Sequence, residues 1–367
     1  MNSRLAPALA LGLIVHPSSF LLGQGSLTPP GAPAPVFKTL QQVEPRADVQ
    51  KLSGDGSNSF IINQSGAYYL TANVAGASGK NGISIQADNV TLDLNGSAVT
   101  GAAGALRGIV VSGARRNIAV RNGSVQNWPS DGVDLHDAVG SAVSDLLVFG
   151  NTGIGISAGD TGLVSACISR QNGGDNIRVG NNSVITKCTA IQSTLGNGIN
   201  AGGYSVISQC TANYNNQHGI QCFQRGRVSD CVSTNNSQSG VRIAFVGTVE
   251  RSFCNQNAIC GILSDGGGFV DILSNNCSEN GGGNAGAGIR ASSASGNRIE
   301  GNNVGLNFIG IDVLSGRNVI VRNVAVGNTT DFNIAGGNTH GPIISAIGAG
   351  DVSAVAGANH PFTNFRY

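Results

Sequence analysis

The chain has 367 residues, 55 of them glycine, with charged residues at 11% and a formal net charge of +1. So few charges, so closely balanced, leave no basic footprint for nucleic acid, and the apolar content of 40% excludes a disordered chain. Glycine-rich but apolar, such a chain is searched first for internal repeats.

Residues 1–25 read as an export signal, with Arg4 as the positive end, Leu5 to Val15 as the apolar run and small residues at Gly23 to Ser26 for cleavage. No stretch reaches about 18 apolar residues, so no membrane span is expected, and the location follows as secreted or cell surface. Residues 26–36 (SLTPPGAPAPV) are a Pro-rich linker. Residues 37–80 are expected to form an N-terminal cap and entry strands, with a short helix around Lys38 to Val43 and then the apolar pieces SFIIN and AYYL. A cap is needed because an open sheet edge invites aggregation.

From 81 to 335 the chain repeats. NGISI, RGIVV, DGVDL, TGIGI, DNIRV, NGINA, HGIQC, SGVRI, CGILS, AGIRA and IGIDV recur at gaps of 21 to 27 residues, from Gly82 to Gly310. A second apolar strand follows each doublet, as in NVTLDL, LVSACI and SVISQC, and then an Asn-rich turn. Strands this short, with no room for a helix between them, predict an all-β fold. The period makes it a single right-handed parallel β-helix of about 11 to 12 coils of about 22 residues. A leucine-rich repeat is disfavoured because Ile and Val dominate and the far side is another strand. Gly and Asn are expected at corners that need left-handed backbone. Asn151, Asn172, Asn215, Asn236 and Asn257 recur at multiples of 21 or 22 and predict a stacked amide ladder. Residues 336–367 are expected to cap or flank the far end.

Cys167, Cys188, Cys210, Cys231, Cys254 and Cys277 fall one per coil, which predicts a buried stack of free thiols, with pairing across rungs left open. Cys222 and Cys260 fall outside that stack. SDGGGFVD (264–271) reads as a turn.

The segments SLTPPGAPAPVFKTLQQVEPR (26–46), SGAYYLTANVAGASGKNGISIQADNVTLDLNG (65–96), NRIEGNNV (297–304) and GNTHGPIIS (337–345) carry a further likeness. Through them the chain resembles exported bacterial proteins with right-handed parallel β-helix repeats, of the pectin-lyase-like class. The resemblance spans nearly the whole mature chain and implies the fold, but it brings no shared catalytic residues. Better understood members of that fold class are lyases, hydrolases and epimerases of acidic polysaccharides. Their signatures are incomplete here: QHGIQ (217–221) stands without a DD pair or an R-x-K, and VDLHD (133–137) is a partial echo of the lyase pattern.

On each first strand the residues one and three after Gly should point inward, so the residue two after Gly faces outward. That outward row reads Ser84, Val110, Asp134, Gly155, Arg178, Asn200, Gln221, Arg242, Leu263, Arg290 and Asp312. With rungs about 4.8 Å apart, its part from Asp134 to Arg242 is a polar stripe about 25 Å long, suited to an extended glycan. Asp131, Asp175 and His218 precede the doublets and flank the stripe. Candidate catalytic residues are therefore Asp131, Asp134, Asp175, Arg178, His218 and Arg242; candidate substrate-binding residues are Asn200, Gln221, Arg290 and Asp312. Asp131 or Asp134 with Asp175, two rungs away at about 9.6 Å, approaches the carboxylate spacing of an inverting glycosidase. A lyase or epimerase would instead use Arg178 and Arg242 to clamp a uronate and His218 to carry the proton. The bland alternative is a row that only solubilises the sheet, as the second-strand row Lys187, Gln209 and Asp230 is expected to do. His136 beside Asp134 and Asp137 suits either a metal or ordinary turn hydrogen bonding. No cofactor is identified, calcium is left open, and a monomer is expected. The functional expectation is polysaccharide binding with cleavage or epimerisation open, the alternative being a non-catalytic surface scaffold.

Overall fold

The computed structural model describes residues 45–367, apart from 283, 284, 294, 347 and 349. The export signal, the linker and the helix expected around Lys38 to Val43 lie outside the described residues.

Each coil lays down three short strands, and each strand pairs in parallel with its counterparts one coil before and one coil after. The product is a nearly all-β solenoid, 2% helical, of about 14 turns with coils near 22 residues. The turns beyond those expected come from both ends. Asn58–Ile62 already pairs with Asn81–Ile85, and Gly66–Tyr69 with Val90–Asp93, so SFIIN and AYYL wind as strands. Beyond Ile309–Val313 the first face gains Thr330–Ile334. These segments lack the Gly-apolar doublet and are invisible to a search built on it.

Inward side chains stack by type. Ile83, Ile109, Val133, Ile156, Ile177 and Ile199 form one such column, each at 0% exposure. Burying a Val or Ile fully is worth roughly 1.5–3 kcal/mol, so every coil stabilises its neighbours.

Corners carry one left-handed residue each. In one coil these are Asn182 (φ 55), Lys187 (φ 56) and Gln192 (φ 57). Lys187, Gln209 and Asp230, expected as an outward strand row, are therefore corner residues, at φ 56, 55 and 56. The Gly of each doublet serves another purpose. Gly240 is not left-handed; a Cβ there would stand 2.7 Å from Asn257 Nδ2 and 2.8 Å from the Gly261 carbonyl oxygen. It makes room for the amide ladder, in which Asn236 Nδ2 donates to Asn257 Oδ1 (2.9 Å) and Asn257 Nδ2 to Asn280 Oδ1 (2.9 Å).

The ladder misses a rung at Ser193, and there Asn176 replaces the doublet Gly. Asn176 Oδ1 accepts from Asn172 Nδ2 (2.9 Å), and Asn176 Nδ2 donates to Asn215 Oδ1 (3.0 Å). An amide from the next strand thus bridges the gap.

In the TGIGI coil the register differs by two residues from the sequence reading. Ile156–Ala158 pairs with Val133–Leu135 and Ile177–Val179, so Ser157, not Gly155, faces outward. GIGI has period two and can slip by two without changing what points inward. Gly155 is chosen because it alone fits against Ser169 and Asn172, where a Cβ would stand 2.3 Å and 2.5 Å from side-chain atoms.

All eight cysteines are free and buried. Cys167, Cys188, Cys210 and Cys231 share a corner station, each thiol donating to the carbonyl two residues earlier at 3.2–3.3 Å. That station passes next to Ser252, whose Oγ accepts from the Cys231 N–H (3.3 Å), and then to Asn275. Cys254 and Cys277 instead stack in the third strand, so the single thiol column divides in two. SDGGGFVD is no turn but part of the strand Cys260–Leu273.

Candidate recessed polar face

Several first-face residues that point outward are nevertheless enclosed, although Arg178 is exposed and Asn200, Arg242 and Arg290 are half-buried. Asp134, Gln221 and Asp312 are 3%, 8% and 2% exposed, whereas Leu163, Val184 and Val206, outward on the second face, are 38–41% exposed. A depression of about 470 Å³ lies beside this face, and Asp131, Asp175, Arg178, Asn200 and Gln221 line it.

The outward row pairs as expected, with Ser157 in the place of Gly155: Asp134, Ser157, Arg178, Asn200, Gln221 and Arg242 are successive partners. At the flanking station Asp131, Asp175, Asn197 and His218 each accept the backbone N–H of the same station one coil later. Asp131 Oδ1 accepts from Ile154 N (2.6 Å), Asp175 Oδ1 from Asn197 N (2.7 Å), Asn197 Oδ1 from His218 N (3.1 Å) and His218 Nδ1 from Ser239 N (3.2 Å).

Asp175 is the most heavily engaged carboxylate of the row. Besides Asn197 N it accepts from Asn197 Nδ2 (3.0 Å), Asn200 Nδ2 (2.8 Å) and Arg178, through Nε (2.8 Å) and Nη2 (2.7 Å). These donors occupy both carboxylate oxygens and hold Asp175 in place against the row. Asp131 and Asp134 both face Arg107 Nε, at 3.4 and 3.2 Å. Further along, Arg242 Nε donates to Asp265 Oδ2 (2.8 Å) and its Nη1 to Gln221 Oε1 (3.2 Å). Arg290 Nε and Asp312 Oδ2 pair at 2.7 Å, and Asn333 Nδ2 reaches Asp312 Oδ1 (2.8 Å).

The two histidines of this face are shifted in opposite directions. Burial, reinforced by the Arg242 charge, lowers the His218 pKa to about 4. With Nδ1 accepting from Ser239, the neutral ring carries its proton on Nε2. His136, by contrast, is raised above its ordinary value, first by the 2.6 Å hydrogen bond of Nδ1 to Asp134 Oδ1 and then by the charges of Asp134 and Asp137. Among the described residues no group of three or more His, Cys, Asp or Glu side chains is arranged to hold a metal ion.

Of the ten candidates, five share the depression, Asp134 joins it through Arg107 and Arg242 through Gln221; His218 sits in the flanking station, and Arg290 with Asp312 forms a separate group along the row. Two contributors, Arg107 and Asp265, were not singled out from sequence, and for His136, which was, the sequence leaves the bonding open. Arg107 shares the station of Asp131 and was readable from RGIVV. Asp265 hides in SDGGGFVD, and the bond of His136 to Asp134 depends on how the chain bends after the strand Val133–Leu135.

No protein-family model matches the chain, and no curated protein matches it in sequence. Solved structures do. The A-module of the Azotobacter vinelandii mannuronan C-5 epimerase AlgE4 superposes with a TM-score of 0.63 at 15% identity, over 80% of this chain and 99% of that one. The A-module of AlgE6 from the same organism gives 0.60 at 15% identity, over 80% and 97%. At this identity the likeness concerns the fold, and it agrees with a pectin-lyase-like, right-handed parallel β-helix.

Proposed function

We propose that the chain binds an extended polysaccharide along its first face, and that the glycan is uncharged or sparsely charged. The observation that carries this is a recessed polar row whose charges are already compensated. Arg107, Arg178, Arg242 and Arg290 each face a carboxylate of the same face. A face with little net charge offers hydrogen bonds to hydroxyls and little pull on a polyanion. Asn200 and Gln221, lying side by side within the depression, supply amide donors and acceptors of the kind sugar hydroxyls pair with. That the similar solved structures include modules named as mannuronan epimerases supports a glycan as the ligand class.

Catalysis is a second reading, favoured by one observation: the Asp134–His136 hydrogen bond of 2.6 Å. A carboxylate that orients an imidazole and raises its pKa is the arrangement general acid–base chemistry requires near neutral pH. In that reading His136 moves the proton, Arg107 steadies developing negative charge, and the row beyond holds the chain.

Affinity electrophoresis and glycan-array binding test the first reading, with product analysis for the second. Asn200→Ala with Gln221→Ala should weaken binding about tenfold or more, since each lost hydrogen bond is worth about 0.5–1.5 kcal/mol. His136→Gln should leave binding intact and abolish any turnover. Retention of full affinity by the double variant would remove the first face from the interaction.

A further inference from the structure

The last coil departs from the rest at one corner. In the coil before it, a single left-handed residue, Arg322 (φ 60), joins the second strand to the third. After Thr339–His340 the chain lays down Ile343–Ser345, then leaves the solenoid and returns at Asn364–Arg366, which pairs with both Val324–Val326 and Ile343–Ser345. Asn364 there accepts from Asn323 Nδ2 (3.1 Å) and ends a corner ladder. Most described residues of the excursion are exposed, so it contributes little core. Ordering backbone costs on the order of 1–2 kcal/mol per residue, and this segment has few apolar contacts to offset that.

Arg322 ties it to the second face. The Arg322 Nε donates to the Pro361 carbonyl (2.9 Å), and its guanidinium lies 5.2 Å from the Phe362 ring centroid. Between the excursion and the face is a cavity of about 640 Å³, with Val319, Val321, Pro342 and Phe362 supplying apolar walls. Glu300 pairs with both Arg298 and Arg322, the latter at 2.7 Å, and so keeps two guanidiniums together at this cavity. Two cations against one carboxylate leave one positive charge beside an apolar surface.

We propose that this cavity binds a small organic anion, a six-membered ring bearing one carboxylate. The carboxylate is taken by the Arg298–Arg322 pair, whose planar N–H donors match its two oxygens. The ring rests on the valines and Phe362. Both a uronic acid sugar and an aromatic acid have this chemistry. The site is separate from the first-face row, on another face and at the terminal coils, so it stands or falls independently of the glycan reading.

Calorimetric and ligand-observed NMR titrations of the protein with glucuronate, benzoate and, as the uncharged control, glucose test it. Saturable binding of glucuronate alone identifies a uronate site, and of benzoate alone an aromatic-acid site; either supports the proposal, and glucose should not bind. Arg298→Gln should weaken the bound acid about tenfold or more, because a charge-assisted hydrogen bond is lost. Arg298 takes no part in the contacts that pin the excursion, so its variant should melt like the parent. Phe362→Ala is the second variant and should weaken binding by removing the wall. Absence of saturation with both acids, or undiminished binding in both variants, overturns the proposal.

Discussion

Asn176 stands where every other doublet has Gly, and its amide replaces one that Ser193 cannot supply. Position 176 and position 193 are therefore coupled. Asn176→Gly should destabilise by about 1–3 kcal/mol, the cost of leaving buried amide groups of Asn172 and Asn215 short of partners. Ser193→Asn alone should also destabilise, by about 1–3 kcal/mol, because two amides would compete for one place. Together they should recover most of the loss, restoring the Gly-plus-Asn pairing of neighbouring coils. Denaturant unfolding of the four proteins measures this, and simple addition of the two costs would sink the coupling. The histidines give a second test at this scale. His218 has a folded pKa of about 4, below the ordinary imidazole value of 6.5, so between those two values it releases its proton on folding. Its stabilising contribution is fully present above about pH 6.5 and is lost as pH falls toward 4. His136 is shifted the other way, so its contribution is present below the unfolded value and fades as pH rises through the higher folded one. NMR titration of the two ring signals should show His218 titrating well below His136. Reversed order would mean that Asp134 does not hold His136.

Strands were the most legible elements. Ile83, Ile109, Val133, Ile177 and Ile199 declare an inward column through period and hydrophobicity alone, and their pairing follows from the spacing of the doublets. What stayed hidden depended on neighbours in other coils. The choice of Gly155 over Gly153 is settled by Asn172 and Ser169, and the move of the thiol column at Cys254 by Ser252 taking the corner. The candidate row was legible as a row, since Arg178, Asn200, Gln221 and Arg242 are one register. Its bonding was not, because Arg107, Asp265 and His136 reach it from outside the outward stations. The doublet Gly offers the sharpest test of element packing. Gly240→Ala places a methyl against Asn257 Nδ2 and the Gly261 carbonyl, and should cost about 1–3 kcal/mol in denaturant unfolding. Gly56→Ala, with open space around it, should be near neutral. Equal effects at the two sites would show that the ladder does not need its glycines.

At the scale of the whole solenoid, coil stacking turns single residues into a ruler. From Asp134 to Arg242 five successive pairings proceed without a shift, and the first irregularity on this side appears between Ile243 and Phe245. At about 4.8 Å per coil the uninterrupted stripe is about 24 Å long. A glycan lying along it gains contacts with each added sugar until the stripe is covered, and gains nothing further. Affinity for a series of oligosaccharides should therefore climb with length and level off near 24 Å. Because each guanidinium of the face already meets a carboxylate, the same affinities should change less than about threefold between low and high salt, where a polyanion held by uncompensated arginines would lose far more. A plateau with weak salt dependence requires both the length of the stripe and its charge balance. Continued growth beyond that length would place the contact on another face, and steep salt dependence would show that the arginines leave their carboxylates to meet the ligand.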